Sequence, residues 1–174
     1  MKIFFTIVFT LAAIVIAGIV YIYSGSYDVS ANSAENKLTK WVLRTIRESS
    51  IESRIKNITA PNLENPSLIK QGLAHYKEMC EDCHGSPAKS ETEISVGLNP
   101  PAPNLVKLGS VIPPEEIFWV TKNGIKMTGM PAWGKTHSDD KIWAIVAAVK
   151  KLNRISVKEY DSIKFSDEKE DHKH

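Results

Sequence analysis

Apolar positions cluster most strongly at the start of the chain. Ile3 to Tyr23 is a run of 21 residues without a charge, mostly Ile, Val, Phe, Leu and Ala. A membrane-crossing helix needs about 20 such residues, whereas the apolar core of a signal peptide is about 7–15 long. Ser24-Gly25-Ser26 offers a small-x-small cleavage site, so a cleaved signal competes with a retained anchor. Length favours a single transmembrane helix within residues 1–26. Its orientation is barely set by charge, since Lys2 lies on one side and Asp28, Glu35, Lys37 and Lys40 on the other.

Beyond the span the pattern changes to helical periodicity. Residues 27–65 read as a polar linker followed by an amphipathic arm. Between Lys37 and Lys56, Leu38, Trp41, Val42, Ile46, Ile51 and Ile55 fall mostly on one side, with Lys40, Arg44, Arg47 and Arg54 elsewhere. Such a helix fits a membrane surface, the following domain or a partner subunit. Asn65-Pro66 starts the next helix as N-cap and first-turn proline. Leu68, Gly72, Tyr76 and Cys80 then form one stripe at i+4 spacing, and the mid-helix Gly72 suggests a close crossing by another helix. Residues 85–112 carry Gly, Ser and Pro throughout and read as a long loop, either disordered or wrapped around something other than protein; Leu98, Leu105 and Leu108, which need cover, favour the second.

A short helix is predicted over Pro114–Asn123, stopped by Gly124. A last helix runs from Asp139 to Leu152, capped by Ser138. It buries Ile142, Trp143, Ile145, Val146, Val149 and Leu152, and carries Lys150 and Lys151 in its last turn. No strand-like alternation is present, so the soluble part is all-α. Residues 156–174 read as a charged, flexible tail, with His172 and His174 on a mobile terminus.

Composition adds exclusions. The 174 residues are 43% hydrophobic and 24% charged, which rules out a collagen-like or wholly disordered chain. Lys+Arg 22 against Asp+Glu 20 leaves a net charge of +2, giving no basic footprint for nucleic acid. Two cysteines are too few for a disulfide scaffold.

Those cysteines sit in Cys80-Glu81-Asp82-Cys83-His84, a C-x-x-C-H motif of the c-type haem attachment kind. Thiols three positions apart on one turn can each form a thioether with a haem vinyl group, and the next residue presents its imidazole to the iron. A thioredoxin-like site would need a βαβ context. A structural zinc site would need four ligands in paired spacings. A plain disulfide stays open on the motif alone. The second piece is Met127-Thr128-Gly129-Met130-Pro131-Ala132-Trp133. Met130, on a Gly/Pro loop before the last helix, is the candidate sixth ligand, since a His/Met pair is a known axial set that raises the potential. Met127 is a lesser candidate, Met79 reads as packing, and His75 and His137 read as exposed polar residues.

Together these pieces identify residues 66–155 as resembling a class I, monohaem cytochrome c. The resemblance rests on Cys80-Glu81-Asp82-Cys83-His84-Gly85, Pro103-Asn104-Leu105, Gly129-Met130-Pro131-Ala132-Trp133 and the closing helix with Trp143. It implies a cytochrome c fold wrapped around one covalent haem, with first and last helices crossing near Gly72 and Trp143. It also implies a proline carbonyl bonded to the ligating imidazole, Pro103 being the matching position and Pro101 a lesser one. Residues 27–65 are similar, more weakly, to the membrane-proximal arm of some bacterial membrane-bound cytochromes c. Haem attachment outside the cytoplasm, as the resemblance implies, places the domain on the periplasmic side of the inner membrane.

The function so implied is electron transfer by Fe(III)/Fe(II) cycling between His84 and Met130. The chain is then an electron carrier, or the electron-transfer subunit of a larger oxidoreductase complex, rather than an enzyme. Its electrons pass between respiratory complexes or dehydrogenases and a terminal oxidase or reductase. Expected partners are the membrane and redox proteins, with no nucleic acid and no small-molecule substrate. Glu81 and Asp82 on one approach, and Lys122 and Lys126 on the other, leave the sign of the partner open. The rival is a haem enzyme or gas sensor with a labile sixth ligand, which would also need a distal acid–base group.

Overall fold

The computed structural model describes residues 1–34 and 36–164. The chain divides into two compact units, Met1–Glu35 and Asn36–His174. Among the described residues it is helical, with no strand.

The first unit is one helix, α1 (Lys2–Tyr23). Its 22 residues are about 33 Å long at 1.5 Å per residue, enough for a hydrocarbon layer of about 30 Å. None of its residues is buried against protein. The polar side chains inside it are satisfied locally: the Thr6 and Thr10 hydroxyls donate to the carbonyls of Lys2 and Thr6, at 3.0 and 2.9 Å. Such internal satisfaction is what a water-free layer demands.

The second unit begins with α2 (Lys37–Ile55), whose N-cap Asn36 accepts from the Leu38 amide. Only Ile51 of this helix is buried, where α2 packs against α7 (Pro114–Asn123). α3 (Pro66–Met79) starts as the sequence predicts, with Asn65 capping Ser67. α4 (Glu81–His84) follows directly. Two short helices that the sequence analysis leaves as loop come next, α5 (Glu93–Gly97) and α6 (Leu105–Leu108). They are too short to show a period. The capping box of Thr92 with Ser95 is the signal that marks α5. The Asn99–Pro100 peptide is cis.

α8 (Asp139–Val149) closes the core. It stops three residues short of the expected end, and Leu152–Arg154 is a separate 3-10 turn. The two lysines there do more than sit in a terminal turn. Lys150 Nζ donates to the carbonyls of Ser110 and Ile112, both at 2.7 Å, and Lys151 pairs with Glu64 at 2.6 Å. α8 is also buried more fully than its apolar stripe suggests, since Ala144, Ala147 and Ala148 are enclosed along with Ile142, Ile145, Val146 and Val149.

α3 and α8 cross at Gly72. A Cβ there would lie 1.8 Å from the Ala144 carbonyl oxygen and 3.0 Å from Ala148 Cβ, so only glycine permits the contact. The crossing partner is thus Ala144 rather than Trp143. Trp143 is stacked on Phe118 of α7, with ring centroids 4.1 Å apart and planes 13° from parallel.

The expected tail differs too. Residues 156–163 are part of the folded unit: Ser156 caps α9 (Val157–Asp161), and Tyr160 is buried in the core. The expectation of a flexible tail from 156 is corrected over this stretch, because an aromatic side chain finds the core. Residues 165–174, with His172 and His174, lie outside the described residues.

Candidate haem site

The C-x-x-C-H segment is a turn of helix grown from the end of α3. Cys80 is the C-cap of α3 and the N-cap of α4. Its carbonyl accepts from the amides of Cys83 and His84, at 3.2 and 2.9 Å. Both cysteines are free thiols, Cys80 buried and Cys83 half-buried. Burial pushes the Cys80 thiol up to about 12, with the nearby Cys83 adding to it, so this sulfur is held uncharged. Cys83 is pushed up as well, by burial and then by Asp82.

His84 follows on the same turn. Its Nδ1 lies 2.9 Å from the Pro103 carbonyl oxygen. A carbonyl only accepts, so the ring proton belongs on Nδ1 and the Nε2 lone pair is left free. Burial lowers the pKa of the ring, an effect that the Pro103 bond partly opposes. A neutral imidazole of fixed tautomer is what iron ligation requires. Pro101 lines the adjacent cavity instead.

That cavity has a volume of about 340 Å³ and is bordered by Cys83, His84, Leu98, Pro101 and Ala102. Its wall is held to the motif by side chains of the connecting segment. The Thr92 hydroxyl donates to the Asp82 carbonyl, and Asn104 donates to the Ser90 carbonyl at 3.0 Å. Buried Tyr76 donates to the Gly85 carbonyl at 2.6 Å, fixing the exit of the motif.

Met130 stands on a loop closed against the end of α7. The Ile125 amide donates to the Met130 carbonyl at 3.2 Å, and the Met130 amide donates to the Thr128 hydroxyl at 3.1 Å. Gly124 permits this closure: its φ is +64°, and a Cβ would lie 2.8 Å from the Met130 carbonyl oxygen. Gly129 touches Leu98, where a Cβ would meet Leu98 Cδ2 at 2.8 Å. The residue beside Met130 therefore rests on a wall of the His84 cavity. Met130 is half-buried, whereas Met127 is 90% exposed. Met79 packs at the edge of the core.

Two expectations are revised here. His75 is buried at 8% exposure, and half-buried His137 packs against it with ring centroids 6.0 Å apart; Trp133 stands edge-on to His137 at 5.3 Å. These histidines join α3 to the turn after the Met130 loop, a contact between distant segments that spacing along the chain does not reveal. The charges flanking the site are also partly engaged. Glu81 accepts from the Tyr160 hydroxyl at 2.9 Å, and Lys122 pairs with Asp139 at 2.6 Å. Nothing in the motif announces Tyr160, which stands 79 positions away from Glu81.

The donor set suits a c-type haem: two sulfurs and an imidazole on one turn, beside them a cavity whose lining mixes apolar Val96, Leu98, Pro101 and Ala102 with polar Glu91, Ser95, Asn104 and Lys107, and a thioether on a loop that abuts its wall. Residues 67–147, just under half of the chain, match the family model described as cytochrome C oxidase, cbb3-type, subunit III. No curated protein matches the chain. The all-helical fold and the matched segment agree, and residues 67–147 are a class I cytochrome c domain, the kind that carries haem c.

Proposed function

We propose that this chain is a membrane-anchored electron carrier holding one covalent haem, attached through Cys80 and Cys83 and ligated by His84 and Met130. The observation that carries the reading is the His84–Pro103 contact on the C-x-x-C-H turn. It leaves Nε2 as a free, oriented donor beside two thiols. When bound, the haem supplies one-electron Fe(III)/Fe(II) chemistry.

The chain's own residues hold and tune it. Cys80 and Cys83 fix its place along the turn. Pro103 keeps the His84 ring from rotating and leaves its Nε2 unprotonated, able to hold the iron. Met130 would hold the iron through its thioether, with Gly124 and Thr128 setting its loop. With His84 and Met130 both holding the iron, the centre would leave no place for a substrate, which suits transfer rather than catalysis.

α1, by length and composition, anchors the chain in the inner membrane. The haem domain then faces the periplasm, where haem attachment of the cytochrome c kind takes place. Partners are redox proteins of the same membrane, met through small transient contacts. The matched model describes an oxidase subunit. That supports a role, alone or within a complex, in passing electrons from respiratory complexes or dehydrogenases to a terminal oxidase or reductase.

The test is the absorption spectrum of the purified full chain, oxidised and reduced, with and without carbon monoxide. The expected result is a c-type spectrum with the weak long-wavelength Fe–S(Met) band and no carbon monoxide adduct. Met130→Leu removes the band and opens the iron to carbon monoxide, while Met127→Leu changes neither. Ready binding of carbon monoxide by the unaltered protein would overturn the ligand assignment and favour a haem enzyme or gas sensor.

A further inference from the structure

α2 has two unlike halves. Its second half is docked: Ile51 is buried and Ile55 half-buried, where the helix packs on α7. Its first half has no such cover. Leu38, Trp41, Val42, Leu43 and Ile46 are all exposed, between 37% and 66%. Leu38, Val42 and Ile46 lie at i, i+4 and i+8, so they form one stripe. By helical geometry this stripe points away from the side that holds Ile51 and Ile55, which corrects the expectation that all six apolar positions of the helix share one side. Burying the docked side therefore leaves the stripe bare, and a bare apolar stripe of this size on a folded domain calls for an occupant.

The charges indicate which occupant. Lys37, Lys40, Arg44 and Arg47 are matched within the segment by a single acid, Glu48, which Arg44 engages at 2.7 Å. Basic residues on the polar side of an apolar stripe, with a tryptophan at its border, are the features of a helix lying in the interface of an anionic bilayer. The sequence also puts such a bilayer within reach. Only 13 residues, Ser24 to Asn36, separate the end of α1 from the start of α2. Fully extended they span no more than about 45 Å. A tether of that length keeps a lipid surface at high effective concentration around α2.

We propose that the first half of α2, Leu38 to Arg47, is a membrane-surface helix that seats its Leu38–Val42–Ile46 stripe among anionic lipid headgroups. It thereby supplies a second attachment of the cytochrome domain to the membrane. The proposal rests on reading α1 as a span. A domain held at two places has a restricted set of orientations, so the exposed edge of its site is offered to partners in the same membrane rather than swept through all directions.

The test uses the full-length, haem-loaded protein in phosphatidylcholine vesicles with and without phosphatidylglycerol. With Cys80 and Cys83 held as thioethers, an introduced cysteine is the one thiol open to a nitroxide label. Labels go at Ile46→Cys on the stripe, Val15→Cys within α1, and Lys158→Cys on an exposed face of α9. Each label's relaxation is measured, in the reduced state, with oxygen, which concentrates in lipid, and with a water-soluble nickel chelate. The expected oxygen-to-nickel ratio at position 46 is several-fold above that at 158. It should rise with phosphatidylglycerol and fall back when Lys40→Glu and Arg44→Glu are added.

A lipid-like ratio at 15 with a water-like ratio at 46 overturns the surface helix and leaves the anchor standing. Water-like ratios at both overturn the anchor reading as well. A label at 46 shielded from both reagents also overturns the proposal, since protein rather than lipid then covers the stripe.

Discussion

Two buried phenols frame the C-x-x-C-H turn. Tyr76 holds the Gly85 carbonyl after it, and Tyr160 holds the Glu81 carboxylate within it. Burial pushes both phenols above their ordinary value of 10.0; the Glu81 hydrogen bond adds to the shift of Tyr160, and the nearby Cys80 and Glu81 add to that of Tyr76. The folded chain thus keeps both protons at a pH where the unfolded chain loses them. Their stabilising contribution is complete below about pH 10 and declines as pH rises above it. Tyr160→Phe should lower the stability of the haem-loaded protein at neutral pH by about 1 kcal/mol, the size of one hydrogen bond. Above pH 10 it should flatten the fall of stability by up to about 1.4 kcal/mol per pH unit, one proton's worth. Denaturant titrations between pH 7 and 11 read both effects. Two phenols that ionise near pH 10 while the fold stays intact would contradict this account.

At the scale of helices, one atom decides whether the domain assembles. A methyl at Gly72 would meet the Ala144 carbonyl at 1.8 Å, and neither partner is a flexible side-chain end. Backbone must move, so Gly72→Ala should cost at least about 3 kcal/mol, the upper part of the overpacking range. Gly97→Ala is the matched control, because nothing lies within 4 Å of its would-be Cβ. Chemical denaturation of the two haem-loaded variants should separate them clearly, and similar midpoints would mean that α3 and α8 do not need this approach. The need for glycine here is legible in the sequence, as are the starts of α3 and α8, because Asn65 and Ser138 obey local capping rules. The C-x-x-C-H turn is legible for the same reason, its chemistry lying within five residues. What escapes is contact across the chain. The Tyr160–Glu81 bond, the His75–His137 packing and the partner of Trp143 join segments whose spacing carries no signal. α5 and α6 escape for lack of length, since one turn cannot show a period.

For the cytochrome domain as a whole, the buried side chains are unevenly spread. α3, α7 and α8 supply most of them: Leu73, Tyr76, Ile117, Phe118, Ile142 and Val146 among others. Between Pro87 and Leu108, by contrast, no residue is buried, although this stretch borders the cavity beside His84. It is held by capping and turn hydrogen bonds that are largely open to water, such as those of Thr92 and Asn104. Segments so built occupy the low end of local stability unless something else covers them. Covalent haem would give this stretch the apolar surface that the polypeptide does not provide, acting as a ligand bound only to the folded state. Hydrogen exchange should therefore divide the domain. In the haem-loaded protein, amides of residues 92–108 should be protected along with those of α3 and α8. In a Cys80→Ser/Cys83→Ser chain made without haem, protection over 92–108 should vanish first and most completely, while any that survives belongs to the α3–α8 crossing. Equal protection of 92–108 in both forms would mean that the loop is ordered by the polypeptide alone, and that the cavity beside His84 is not shaped by what it holds.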